Sequence, residues 1–265
     1  MSPHRKRMAW VVAAVLVALV LLILYAEPLS SRPALVLLAA EDLRQPVAAL
    51  AANFERETGQ RVELRFDSSQ ALCNRLLTDH QGDLLLPADQ SYLQGTQASG
   101  YVLQAQPLAR THAVLVVPPD APDQFITLAD LTADTVKLAQ ADPQSDAVGK
   151  LTWGRLAPLR WWDKLDRRTT TYYSSASQVA QAVSDGLANA GIVWAATAKR
   201  FPQLTVVRLP ELAEVVATIE LAVLSTSQQP DRARLFLQLA SHPRLGLAEF
   251  TARGYDPVPA PAPAL

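Results

Sequence analysis

The chain has 265 residues, 49% of them apolar and 18% charged, with a formal net charge of −1. That is enough apolar matter for one large domain or two α/β lobes, and too much for a globally disordered protein. Beyond the first 26 residues the balance is 21 basic against 25 acidic, the wrong sign for a protein that neutralises nucleic-acid phosphates. Cys73 is the sole cysteine, so an intrachain disulfide and a cysteine-based zinc cage are both excluded.

The N-terminus reads as a targeting segment. His4-Arg5-Lys6-Arg7 precedes an uncharged run from Met8 to Ala26. At ~1.5 Å per residue that run spans roughly 28 Å, close to the hydrocarbon thickness of a bilayer. It is longer than the apolar core of an ordinary signal peptide, and Leu24-Tyr25-Ala26 is a poor cleavage site. Residues 1–26 are therefore expected to be a signal anchor or a cleaved signal peptide. The basic cluster keeps the N-terminus cytoplasmic and leaves the rest on the periplasmic side of the inner membrane.

Downstream, short apolar runs alternate with helical periodicity. Ala34–Ala39 reads as a buried strand, and Leu43, Val47, Leu50, Ala51 and Phe54 as one face of a helix stopped by Gly59. Arg61–Phe66 alternates as a strand, and Ala71, Leu72, Arg75 and Leu76 start another helix. Further strands are expected at Asp83–Leu86, Ala113–Val117, Val136–Ala139, Thr169–Tyr173, Ala190–Ala195, Leu204–Leu209 and Ala217–Leu224. Helices are expected at about Leu128–Leu131, Ala147–Leu156, Trp161–Leu165, Val179–Leu187, Pro230–Leu239 and Leu245–Arg253. Pro257–Leu265 is a Pro/Ala-rich flexible tail. Such alternation implies an α/β protein with parallel sheets and crossover helices.

G-x-S-x-G, H-E-x-x-H, G-x-G-x-x-G and P-loop signatures are missing, and the four histidines are scattered. Cys73 and His80 share a helix face two turns apart, where the ordinary reading of Cys73 is a small buried thiol. Four strand–helix junctions stand out instead: Glu41-Asp42, Asp67-Ser68-Ser69, Gln144–Gly149 and Ser174–Ser177. Such junctions gather at the carboxyl ends of strands, where helix starts offer free N–H groups to an anion. Ser69 and Ser177 add hydroxyl donors, although Ser and Asp are also the common helix caps. Trp161-Trp162 is expected to pack a helix hairpin, and Arg110 and His112 to precede the first crossing strand.

Taken in order, several segments resemble the periplasmic molybdate-binding protein family of ABC importers, a branch of the type II solute-binding proteins. They include Ala39-Ala40-Glu41-Asp42-Leu43, Phe66-Asp67-Ser68-Ser69-Gln70-Ala71-Leu72, Ala88-Asp89-Gln90-Ser91-Tyr92, Ala141-Asp142-Pro143, Trp162-Asp163-Lys164-Leu165 and Ala190-Gly191-Ile192-Val193-Trp194-Ala195. The similarity runs from about Leu35 to Tyr255. It implies a two-lobed type II fold, with residues 34–112 and 222–256 in lobe one and 113–221 in lobe two. It also implies a monomer without cofactor or covalent chemistry, closing on a tetrahedral oxyanion (molybdate or tungstate) and docking on a permease. Carried over by position, the ligand contacts become Asp42, Ser69, the backbone N–H groups of Val148 and Val179, and Trp194.

Asp42 and Trp194 depart from the family pattern, which has a serine and a tyrosine there. An ionised carboxylate ~4 Å from a dianion costs several kcal/mol at an effective dielectric near 20. Asp42 points away as a cap, is protonated, or the ligand is not molybdate. Two rivals follow: the same fold binding a metal cation or small organic solute, and a membrane-tethered sensor or interaction module.

Overall fold

The computed structural model describes residues 33–121 and 124–258. The expected N-terminal anchor and the tail from residue 259 lie outside the described residues; within them, no helix is long and apolar enough to cross a membrane.

The chain opens with β1 (Leu35–Ala40), a single 3-10 turn and α1 (Arg44–Thr58). Val47, Leu50 and Phe54 recur at helical spacing and are fully buried, and Phe54 meets Phe236 at 5.0 Å between ring centroids. Burying each such side chain is worth about 1.5–3 kcal/mol. Gly59 ends the helix at φ 69°, where a side chain would be strained. β2 (Val62–Asp67), α2 (Ser69–Asp79), β3 (Leu84–Leu86) and α3 (Ser91–Ala98) follow. β4 (Val102–Val117) is then the longest strand.

The second half adds β5 (Leu138–Ala141), α4 (Ala147–Leu156), α5 (Trp162–Asp166), β6 (Thr169–Tyr173), α6 (Ala176–Ser184) and β7 (Ala190–Trp194). After α7 (Ala195–Ala198), β8 (Thr205–Val207) and α8 (Pro210–Ala213), the chain returns along β9 (Val216–Leu224). α9 (Pro230–Ala240), a π-helical turn at Pro243–Leu247 and α10 (Ala248–Thr251) close the fold.

The strand order is β2-β1-β3-β9-β4-β7-β5-β6, with β8 beside β4. β4 makes the first of two connections between the halves. Val102–His112 of β4 pairs with β9, while Ala113–Val117 pairs with β7 and β8. The partner switch between His112 and Ala113 divides the sheet into a first lobe (β1, β2, β3, β9) and a second (β5, β6, β7, β8). β9 pairs in the first lobe from Val216 onward, so both crossings lie side by side.

Three expectations need correction. The sheets are mixed rather than parallel, because β4 and β9 run antiparallel to their neighbours. The strand expected at Ala113–Val117 is only the end of β4, whose polar first half is held by β9 across two register shifts. The second shift falls at Pro107, which lacks the N–H that a regular ladder needs. Leu187, placed on the α6 face by periodicity, is exposed beyond the helix end.

Candidate functional site

The lobes meet where β1, β5 and β6 end. Asp42, in the turn after β1, is buried in the first lobe at 4% exposure, and Tyr255 donates its hydroxyl to the Asp42 carbonyl at 3.2 Å. Its carboxylate reaches across to the start of α6 in the second lobe. One oxygen accepts from the Ala176 amide at 3.3 Å; the other accepts from the Ser177 amide at 3.2 Å and the Ser177 hydroxyl at 2.8 Å. Arg200, just beyond α7, in turn donates to the Ser177 hydroxyl oxygen.

This is the chemistry of an anion seat. The first amides of a helix have no intrahelical acceptor, and the helix dipole adds partial positive charge there. A hydroxyl and a guanidinium behind it complete the donor set. The anion that sits in it belongs to the protein itself.

The start of α4 is organised differently. Asp146 caps it from within the same lobe, accepting from the Val148 amide at 2.8 Å. Gly149 lets the helix start lie against the end of β5: a Cβ there would fall 2.3 Å from the Ala141 carbonyl oxygen. Burial pushes the Asp146 carboxyl well above the usual carboxylate range, and the facing Asp42 charge pushes it further. Burial likewise raises Asp42, against the opposing effect of Ser177 and Arg200. Two buried carboxyl groups thus face each other across the closed lobes.

A second polar contact spans the lobes. Lys150 on α4 donates to the Ser91 hydroxyl at 3.1 Å and lies 4.3 Å from the centre of the Tyr92 ring. Asp89 braces that side, accepting from the Ser91 amide at 2.8 Å and the Thr218 amide at 3.1 Å.

Ser69 is buried at the start of α2, and its oxygen accepts from the Ala88 amide at 3.0 Å, leaving its own proton to donate. Val148 offers its amide to Asp146. The open amide expected at Val179 lies earlier, because Val179 donates within the helix to Ser175 at 3.2 Å. The amides free of intrahelical partners are those of Ala176 and Ser177. Trp194 ends β7 fully buried, its indole N–H without a partner among the described residues.

Arg200, Asp146 and Lys150 join the site without a signal of that role in the sequence. No spacing signals Arg200, which follows its strand by a short helix and reaches the site only through the fold. Asp146 lay inside the Gln144–Gly149 junction and carried the ordinary signature of a cap.

Elsewhere, Cys73 is the small buried thiol expected, whereas Arg110 and His112 lie within β4 rather than before it and Trp162 lines a cavity rather than packing a hairpin. Cys73 donates to the Tyr92 carbonyl at 3.6 Å, and burial pushes its thiol up to about 11. His80 engages the Tyr101 hydroxyl at 2.7 Å, so the two do not form a nucleophile–base pair. Arg110 and His112 sit at the crossing beside Asp256. Trp162 stacks near Tyr172 at 6.4 Å, and both line a cavity of about 580 Å³ with Asp142, Pro143, Gln144 and Trp153. Among the described residues, no group of three or more His, Cys, Asp or Glu side chains is arranged to hold a metal ion.

Two α/β lobes joined by adjacent crossing strands, with helix starts converging on the seam, define a solute-binding architecture. Residues 35–255 match the family model for bacterial extracellular solute-binding proteins, and the chain belongs to that family. Among its relatives is an aconitate isomerase from a Pseudomonas species, 28% identical over 248 residues, 90% of this chain and 92% of that protein. The molybdate-binding protein ModA of Mycobacterium tuberculosis is 26% identical over 220 residues, 82% of each chain. The solved periplasmic molybdate-binding protein of Azotobacter vinelandii shares the fold at a TM-score of 0.72 and 21% identity, over 85% of this chain and all of that one.

Proposed function

We propose that the protein is the extracytoplasmic receptor of an ABC importer, capturing a small tetrahedral oxyanion, molybdate or tungstate, between its lobes. The closed, loaded form is the one that docks on a permease at the inner membrane, with the receptor acting as a monomer. The observation that carries this reading is the seat at α6, where two helix-start amides, the Ser177 hydroxyl and Arg200 together hold an oxyanion from the opposite lobe. The relatives named for molybdate support the choice of ligand.

In this reading Ser69 donates its free hydroxyl proton from the first lobe, and the Val148 amide at the α4 start, held by Asp146 in this structure, passes to the anion as Asp146 gives way. Val179 acts only by packing α6 into the core. Trp194 supplies its unpaired indole N–H in place of the family tyrosine, and Asp42 is the residue the anion has to displace. Calorimetric titration with molybdate, tungstate, sulfate and phosphate tests it. Heat with the first two alone supports the assignment; heat with none of the four contradicts it.

One observation favours a second reading. Buried carboxyl groups raised above their usual range, as Asp42 and Asp146 are, suit acid–base chemistry. The relative named aconitate isomerase makes a small carboxylate the substrate to try. Conversion of aconitate into another isomer, followed by NMR and abolished by Asp146→Asn, would establish it; unchanged spectra remove it.

A further inference from the structure

We propose that Asp42 is a tethered competitor: its carboxylate is the resident anion of the α6 seat, and it latches the lobes together in the absence of solute. The geometry is specific to that role. Asp42 and Ser177 are 135 residues apart and belong to different lobes, so every bond between them exists only when the lobes are closed. The carboxylate uses both oxygens, three donors face it, and Arg200 reinforces the hydroxyl that binds it. α6 does not need Asp42 as a cap, since Ser175 already serves the Gln178 amide at 3.3 Å. An ordinary cap comes from the residue just before its helix, as Asp146 does for α4. A carboxylate delivered from the other lobe is instead what a bound solute would be.

Two consequences follow. The solute-free protein is closed, and a free oxyanion enters only as Asp42 leaves, because two anions cannot share three donors. The second consequence rests on the oxyanion reading above; the first does not.

The test uses the full chain with Cys73→Ala and one spin label on each lobe, at Leu77→Cys and Leu187→Cys, both exposed sites. Without solute, the parent should give one short, narrow interlobe distance, and Asp42→Ser a longer, broader distribution. Ser177→Ala supplies a second variant that weakens the same latch from the other lobe. Its distances should shift in the same direction. Distances in the solute-free parent as long and broad as in both variants overturn the latch.

Molybdate titration separates the competitor from the latch. Asp42→Ser should bind at least tenfold more tightly than the parent, about 1.4 kcal/mol, while Ser177→Ala binds more weakly. Equal or weaker binding by Asp42→Ser overturns the competitor role. Binding by none of the proteins removes that role together with the oxyanion reading, and the latch then stands or falls on the distances alone.

Discussion

The starts of α4 and α6 look alike in sequence and differ in who caps them. α4 takes its carboxylate from Asp146, the residue immediately before it. α6 has a local serine cap and also receives a carboxylate from the opposite lobe. A local cap stabilises a helix whether the lobes are open or closed. A cap supplied across a cleft stabilises only the closed form, so it reports on conformation rather than on helix stability. One kind of contact, a carboxylate on helix-start amides, therefore does two jobs, and position relative to the hinge decides which.

The largest effect is expected at the start of α4. Gly149→Ala places a methyl group 2.3 Å from the Ala141 carbonyl oxygen, and backbone cannot yield as a side chain does. Chemical denaturation should show a loss of about 3 kcal/mol or more, at the upper end of overpacking costs. The α6 contact, which Gly149 does not touch, should remain measurable in whatever fraction folds.

Asp146→Ala and Asp146→Asn act next in size. Alanine removes the cap, worth about 1 kcal/mol, and removes the charge facing Asp42. Asparagine removes only the charge. Both carboxyl groups are raised in the folded state, so their protonated forms favour folding. That contribution is complete below the unfolded carboxylate range and fades as pH rises through the raised values. The parent should therefore lose stability from acidic toward neutral pH, apart from other titrating groups. Asp146→Asn should flatten that slope and exceed the parent at neutral pH, by urea denaturation at several pH values. A slope unchanged by the substitution would remove Asp146 from the account.

The Lys150–Ser91 contact provides the smallest effect. It spans the lobes, yet it is a single ammonium–hydroxyl bond at a partly buried site, worth about 1.5 kcal/mol, against the three donors that hold Asp42. Lys150→Met should shift interlobe distances slightly, well short of the change from Asp42→Ser. An equal change would mean that the lobes are held at α3 rather than at α6.

Much of this was legible before any coordinates. Val47, Leu50 and Phe54 announced α1 by their spacing, and the spans Ala147–Leu156 and Thr169–Tyr173 emerged where the periodicity put them. The first half of β4 was hidden because its burial does not alternate cleanly and Pro107 interrupts it; only the long pairing with β9 makes it a strand. α3 was hidden too, since Gly95 and a run of polar residues weaken its signal. At the site, Asp42 and Ser177 were each visible as helix-start residues. Their pairing was not, because nothing local connects residues that only the crossing strands bring together. Arg200 was invisible for the same reason.

The most direct measurement is a crystal structure of Asp42→Ser grown with molybdate. The anion should lie on the Ala176 and Ser177 amides, in the place where Asp42 now lies, with Ser177 and Arg200 retained behind it. Lobes closed without an anion there, or molybdate bound away from α6, would contradict the competitor role of Asp42.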